Sequence, residues 1–356
     1  MNPHHYGLIL AGGRGTRFWP RSRKRNAKQV LNVVGERSLI QATADRLAPM
    51  IPPERLWVLT NDYLRDAIVK QLPEIPKRQI LAEPVQKNTA PAIGLAAQIL
   101  QSIDPEAVMG VFPSDHVIGK PAPYRATVKA ALKAAGEGNL MVVGIKPRWP
   151  ETGYGYVEFP RDSKPGAMAA VRRFHEKPVL KKAKRYVAAG NFFWNSGMFF
   201  WRCDALLGQL RQHLPKTASL LAALPEFGSR KFGAALAQAF PLCENISIDF
   251  AVLEKAKNVS GIPSADFGWN DVGSWNAVYE LLERDAAGNA GLRDAVCLDS
   301  SNNFVDVRGK LVALLGVNDL IVVDTPDALL VASRDKAQQV GDVVKALEKL
   351  KREDLL

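Results

Sequence analysis

Tyr6-Gly7-Leu8-Ile9-Leu10-Ala11-Gly12-Gly13-Arg14-Gly15-Thr16-Arg17 runs a short apolar strand straight into a glycine-rich turn that carries two arginines. Glycine removes the Cβ atoms that would hold a ligand off the backbone. Successive N–H groups can then converge on one anion, with Arg14, Arg17 and, a little downstream, Lys28 adding full charges. The stretch reads as a loop that holds a triphosphate; the alternative is a turn that only joins strand to helix. Two familiar phosphate loops are excluded. The Walker pattern closes on Gly-Lys-Ser/Thr, whereas this loop closes on Gly15-Thr16-Arg17, and the dinucleotide fingerprint spaces its glycines differently from Gly12, Gly13 and Gly15.

Outward from the loop, strand and helix signals alternate. Short apolar runs fall at Tyr6–Leu10, Leu56–Thr60, Val108–Phe112 and Met141–Ile145, with helical patterns near Ser38–Leu47, Asp62–Leu72, Thr89–Ser102 and Tyr124–Ala135. Such alternation implies right-handed crossovers and a mostly parallel sheet covered by helices on both faces. Ligands of such sheets bind at the carboxyl ends of strands. From Gly153 to Trp201 the pattern turns aromatic and glycine-punctuated, as in strands and hairpins, and a helical stretch is expected over roughly Asp204 to Ala256. Val296 to Leu330 reads as short strands between Asn, Asp and Gly turns, with weakly repeated strand–turn units, and Asp335 to Arg352 as an amphipathic closing helix. The expected division is a first domain over 1–285 and a small β-rich element over 286–356.

Composition narrows the partners. The chain has 356 residues, 47% hydrophobic and 23% charged, the balance of a globular protein with room for one large and one smaller domain. Its formal net charge of +11 points to anionic ligands. Basic residues are dispersed apart from Arg14–Lys28 and Lys177–Arg185, and no basic arm occurs, so small phosphorylated molecules are expected rather than nucleic acid or a membrane surface. Cys203, Cys243 and Cys297 are far apart and odd in number, which argues against a disulfide framework and for a reducing, cytoplasmic setting. No apolar run reaches the length of a membrane span, and the start lacks a signal-peptide pattern.

Several polar motifs carry chemistry. Pro113-Ser114-Asp115-His116 follows a predicted strand, where Asp115 could hold Mg2+ over a triphosphate or serve as a turn carboxylate. Asp271 stands between Trp269 and Trp275 in an apolar turn, an expensive place for a carboxylate without a cation. Thr89 can cap the helix that follows, with Pro91 in its first turn, so capping accounts for Asn88 to Pro91 without a ligand. Capping leaves Glu83 unexplained. Its carboxylate could accept guanine's N1–H and N2–H, donors that adenine lacks on that edge, or be a strand-end surface glutamate. Gly153-Tyr154-Gly155 would let a hydroxylated ligand approach the backbone, and Glu176-Lys177 offers an acceptor for sugar hydroxyls and a cation for a phosphate, or a solvated pair. Asn195-Ser196-Gly197 breaks an aromatic run and calls for a bulge or a ligand-facing amide.

In their order along the chain, Leu10 to Arg17, Trp19-Pro20, Lys28-Gln29, Glu83-Pro84, Asn88-Thr89-Ala90-Pro91, Pro113 to His116, Glu176-Lys177-Pro178, Asn195-Ser196-Gly197 and Asp271-Val272-Gly273-Ser274-Trp275 resemble the bacterial mannose-1-phosphate guanylyltransferase (GDP-mannose pyrophosphorylase) family of sugar-1-phosphate nucleotidylyltransferases. The resemblance covers nearly the whole chain. It implies a Rossmann-like α/β nucleotidyltransferase domain followed by a small β-helical C-terminal element, and transfer of GMP from GTP to mannose 1-phosphate, giving GDP-mannose and pyrophosphate. By resemblance, Ala11, Gly12, Gly13, Arg14, Gly15, Thr16, Arg17 and Lys28 hold the triphosphate, with Arg17 and Lys28 acting on the leaving pyrophosphate. Asp115 and Asp271 ligate Mg2+. Glu83, Asn88 and Thr89 lie near guanine and ribose, and Gly155, Glu176, Lys177 and Asn195 contact mannose 1-phosphate.

Three positions depart from the family pattern: Ala27 stands where proline usually precedes the lysine, Lys87 where arginine is common, and Asn270 where serine is frequent before Asp271. Longer relatives carry an isomerase domain, for which this chain is too short, so one activity is expected, with a homodimer as the assembly. The alternatives are a nucleotidylyltransferase for another base or sugar 1-phosphate, and a non-catalytic sensor of nucleotide sugars. The sensor reading is disfavoured by the presence of both aspartates and both loop cations.

Overall fold

The computed structural model describes residues 1–356. Strands β1 (His5–Leu10), β2 (Leu56–Asn61), β3 (Ile80–Glu83) and β4 (Val108–Pro113) alternate with helices α1 (Leu39–Leu47), α2 (Asp62–Gln71) and α3 (Thr89–Ile103), and α4 (Pro121–Gly136) follows β4. The four strands lie parallel in the order β3-β2-β1-β4, so β1 is central and its carboxyl end opens between neighbours. Beyond β4 the sheet becomes mixed. Phe192–Arg202 runs antiparallel to β4 and to Leu140–Ile145, which in turn pairs in parallel with Val259–Pro263.

Side chains of a strand alternate between faces. Leu8, Met109 and Val111 therefore join a core with α3 and the helices Cys203–His213 and Pro215–Ala222. Ile9, Val108 and Phe112 join a second core with α1, α2 and α4. Helix α1 starts on a capping box in which Ser38 and Gln41 satisfy each other's backbone N–H groups. Helix α3 is capped by Asn88, whose Oδ1 accepts the Thr89 N–H at 2.9 Å. Thr89, the expected cap, instead accepts the Ile248 N–H through its hydroxyl.

Two stretches differ from expectation. The aromatic segment contains a helix, Leu180–Ala189, that begins right after Pro178-Val179. The region read as helical from 204 to 256 breaks into three short helices, the third being Phe232–Ala239, before a wide turn at Asp249–Leu253. Pro215, Pro225, Gly228 and Pro241 supply the breaks. At Asn195-Ser196-Gly197 the register against Leu140–Ile145 shifts, which is the bulge the polar break called for.

The C-terminal part coils. Ala295 pairs in parallel with Val312, and Phe304 with Ile321, so both pairs advance by the same number of residues per turn of the coil. Asn289 and Asn303 are buried and stacked along it: Asn289 Oδ1 accepts from the Asn303 N–H, and Asn303 Oδ1 from the Leu320 N–H. A third core then welds this coil to the loop after β1. Phe18 packs on Trp275 at 5.0 Å and Trp275 stacks on Phe304 at 5.6 Å, while the Trp19 indole donates to the Leu355 carbonyl. No helix is long and apolar enough to cross a membrane.

Candidate active site

The glycine loop lines an open cavity of about 450 Å³ at the carboxyl ends of β1 and β3. A Cβ on Gly13 would meet nothing within 4 Å, and one on Gly12 only the Glu83 carboxylate at 4.0 Å, so these glycines keep the backbone open toward the cavity. Gly15 has another task. Its φ of +62° is left-handed, and a Cβ there would lie 2.6 Å from that of Lys28. Gln29 braces the loop from below, its amide donating to the Ala11 and Gly13 carbonyls at 2.9 and 3.0 Å. Arg14, Lys28, Glu83, Asn88, Thr89 and Asp115 line the same cavity, together with Lys87 and Asn245. Ala11 lies beneath it, with its N–H on the Leu59 carbonyl and its own carbonyl engaged by Gln29 and Thr60.

Lys28 joins the two halves of the site. Its ammonium is buried, 2.9 Å from Asp115 Oδ2 and 2.8 Å from the Asp271 carbonyl. The Ala27 φ of −72° is the value a proline ring would impose, so the loop holds this geometry without the family's proline. Burial pushes the Asp115 carboxyl up, but the Lys28 charge and the Lys28 hydrogen bond outweigh it and leave the group below the usual range. Burial also brings His116 down to about 4. The neutral ring accepts the Trp269 indole N–H on Nδ1 at 3.1 Å, which assigns the proton to Nε2, 4.0 Å from Asp115 Oδ1.

Asp271 is held by Tyr154 and by the turn in which it sits. Tyr154 donates to its Oδ1 at 2.6 Å, with its ring packed edge-on against those of Trp194 and Trp269. Burial, then the Asp271 charge, raise the Tyr154 phenol well above its ordinary value, so it remains a donor. Val272 is forced to a φ of +47°, a region that β-branched residues avoid, and its N–H donates to Asn270 Oδ1 at 2.7 Å. Asn270 thus shapes the turn that aims Asp271. Arg17, Arg148, Tyr154 and Asp271 line a second hollow of about 470 Å³ on the other side of the site. The loop is therefore divided: Gly12 to Gly15 face the first cavity, Arg17 the second, and Thr16 faces Gly341 of the C-terminal helix Val340–Lys349.

Glu83 ends β3 with only 7% of its surface exposed, and burial alone raises its carboxyl to about 8. A group with no cationic partner in such a place is ready for a ligand that supplies donors. The remaining predicted residues gather apart from the loop. A Cβ on Gly155 would lie 2.5 Å from Glu176 Oε2 and 3.4 Å from the Asn195 Cβ. Lys177, at a left-handed φ of +43°, pairs with Glu176 Oε1 at 2.8 Å and is otherwise exposed. No group of three or more His, Cys, Asp or Glu side chains is arranged to hold a metal, so a cation at Asp115 and Asp271 would complete its shell with substrate or water oxygens.

Sequence reasoning passes over Tyr154, His116, Gln29, Asn245 and Asp249. The first three lie inside quoted motifs, and their roles depend on partners distant in the chain. Asn245-Ile246-Ser247-Ile248-Asp249 alternates polar and apolar residues, a period of two that does not fit the helix expected there.

Residues 6–288 match the family described as Nucleotidyl transferase, and residues 293–347 the one described as MannoseP isomerase/GMP-like beta-helix domain. The xanthan biosynthesis protein XanB of Xanthomonas campestris pv. campestris is 40% identical over 351 residues, 98% of this chain and 74% of that protein. The mannose-1-phosphate guanylyltransferase of Escherichia coli is 36% identical over 350 residues, 96% and 75% of the two chains. A crystal structure described as mannose-1-phosphate geranyltransferase from Thermus thermophilus superposes with a TM-score of 0.86 at 33% identity, covering 97% of this chain and 99% of that one.

Proposed function

Because the chain belongs to the nucleotidyl transferase family, in its mannose-1-phosphate guanylyltransferase branch, we propose that it transfers GMP from GTP to mannose 1-phosphate. The products are GDP-mannose and pyrophosphate. The observation that carries this reading is Lys28, a buried cation tying the Asp115 carboxylate to the Asp271 turn at the mouth of the glycine loop. It concentrates charge where two anionic substrates would have to meet.

A phosphate oxygen of mannose 1-phosphate attacks the α-phosphorus of GTP, the bond to the β-phosphate oxygen breaks, and pyrophosphate leaves with that electron pair. The nucleophile is already an anion, so no general base is required. Positioning and charge neutralisation are the catalytic task. Enzymes of this family use a divalent cation, here proposed to be Mg2+, which when bound neutralises phosphate charge. Asp115 and Asp271 offer it the hard carboxylate oxygens that suit such an ion.

In this reading the Gly12 and Gly13 backbone, Arg14 and Lys28 bind the triphosphate, and Arg17 steadies the leaving pyrophosphate. Glu83 accepts guanine's N1–H and N2–H, and Asn88 and Thr89 flank the ribose. Gly155, Glu176, Lys177 and Asn195 hold mannose 1-phosphate, with Lys177 aligning its phosphate. The proposal takes 1–285 as the transferase domain and 286–356 as a β-helical element. It sets the reaction in the cytoplasm, supported by three cysteines that are all free.

The test is pyrophosphate release over a matrix of the four nucleoside triphosphates and several sugar 1-phosphates. GTP with mannose 1-phosphate should be the best pair by a wide margin. A better pair overturns the choice of base or sugar, and silence across the matrix overturns the reaction.

A further inference from the structure

Asp249 is a carboxylate that the sequence motifs do not assign. The Glu254 N–H reaches back five residues to the Asp249 carbonyl at 3.0 Å, a wide π-type turn of the kind that often marks functional sites. The segment leading into it is laced to the first turn of α3. Asn245 Oδ1 accepts the Asn88 N–H at 3.0 Å, the Ile246 carbonyl accepts the Ala90 N–H at 3.1 Å, and the Ile248 N–H donates to the Thr89 hydroxyl at 2.9 Å. Asp249 is thereby fixed to residues that line the nucleotide cavity.

At its other end it meets the Gly155, Glu176 and Asn195 cluster. Asn195 Nδ2 donates to Asp249 Oδ1 at 2.9 Å, and the Ser247 hydroxyl and the Lys177 ammonium lie near the carboxylate. Burial, and then the charge of nearby Glu176, push the Asp249 carboxyl up to about 6. Glu176 Oε1 is already paired with Lys177, so the acceptors left for a ligand's donors are Glu176 Oε2 and the Asp249 oxygen that Asn195 does not hold. A sugar ring brings several neutral O–H donors and no charge.

We propose that Asp249 is a sugar-binding and specificity-determining residue, whose carboxylate accepts a hydrogen bond from one ring hydroxyl of the hexose 1-phosphate beside Glu176. The inference rests on the sugar nucleotidyl-transfer reading of the site. It also explains the lacing to α3: one segment sets the distance between the nucleotide and the sugar.

The experiment crosses the wild type, Asp249→Asn and Asp249→Ala with mannose 1-phosphate and its 2-, 3-, 4- and 6-deoxy analogues, reading kcat/KM with GTP saturating. A hydrogen bond to a charged acceptor is lost at a cost of about tenfold or more. In the wild type one deoxy analogue should show such a loss. In Asp249→Ala mannose 1-phosphate should fall by a similar factor, and that same analogue should lose little more. GTP affinity measured without sugar should stay within about twofold of wild type, which separates loss of a sugar contact from loss of the fold. Losses that multiply independently for all four analogues overturn the assignment, as does an unchanged kcat/KM in both variants. A wild type that ignores every sugar 1-phosphate refutes the underlying reading and the inference with it. A wild type that uses a different hexose refutes only the choice of mannose, and the cycle is then read with the deoxy analogues of that hexose.

Discussion

The Arg17 guanidinium donates a 2.6 Å hydrogen bond to the side-chain oxygen of Gln338, so a cation of the glycine loop is held by the segment that leads into the closing helix. Arg14 pairs with Glu348 of that helix at 3.0 Å. Arg21, Arg23 and Lys24 reach Asp306, Asp327 and Glu353 in the same element. The C-terminal coil is in this way a brace for the loop that the proposed reaction uses.

If Glu348 competes with a triphosphate for Arg14, removing its charge should tighten nucleotide binding. Both side chains are about two-fifths exposed, so the pair is a weak one. Glu348→Gln is expected to lower the Kd for GTP by no more than about fivefold at low salt, the equivalent of about 1 kcal/mol. The difference should fade as ionic strength rises. Weaker binding by calorimetry would instead mean that Glu348 presents Arg14 to the ligand.

Asp115→Asn keeps the shape of the side chain and removes the charge beside Lys28. Turnover should fall by at least about a hundredfold, because the lost interaction is electrostatic and sits at the reacting phosphates. Circular dichroism should remain that of the wild type. Near-normal turnover would reject Asp115 as a cation ligand.

Tyr154→Phe removes the 2.6 Å donor to Asp271 but keeps the ring packed edge-on against Trp194 and Trp269. Asp271 should then be less well aimed. The half-saturating concentration of divalent cation is expected to rise by about tenfold, the low end of what one hydrogen bond to a charged group is worth. A titration of activity against Mg2+ reads this directly, and superimposable curves would remove Tyr154 from the site.

Glu83 makes stability depend on pH. Its folded-state value, about 8, lies above the ordinary 4.5, so between these values the native protein binds a proton that the unfolded chain has released. Stability should therefore be greatest below the lower value, fall as pH rises toward the higher one, and level off above it. The slope from this one group is at most about 1.4 kcal/mol per pH unit. Glu83→Gln lacks that contribution, so urea midpoints of the two proteins should converge at acid pH and separate, with the variant the more stable, by pH 9. The same variant should narrow the preference for GTP over ATP. Parallel midpoints across the range would contradict the burial of an uncompensated carboxyl.

Much of the scaffold is legible because it is written locally. The run of Leu8, Ile9 and Leu10 into Gly12 and Gly13 specifies a strand and a turn through side-chain alternation and backbone freedom alone. Ser38 and Gln41 mark a helix start within four residues. The helix Leu180–Ala189 is hidden because its sequence is dominated by lysine and arginine, which read as a charge cluster rather than as a polar helix face. The stretch from 204 to 256 reads too uniformly, since its prolines and glycine interrupt a helical pattern that its apolar residues sustain.

By itself the sequence determined the glycine-rich loop after the first strand, the alternation of strands and helices and the order of the polar motifs, because each depends on neighbours a few residues apart. Only the tertiary structure decided that Lys28 lies between Asp115 and the Asp271 turn. It also decided that Tyr154 aims Asp271, that Asp249 stands beside Asn195, and that the C-terminal helix holds Arg14 while the segment before it holds Arg17. These are single polar contacts between distant segments. They have no period and no local signature, and they exist only because strand order and the packing of three cores bring those segments to one end of the sheet.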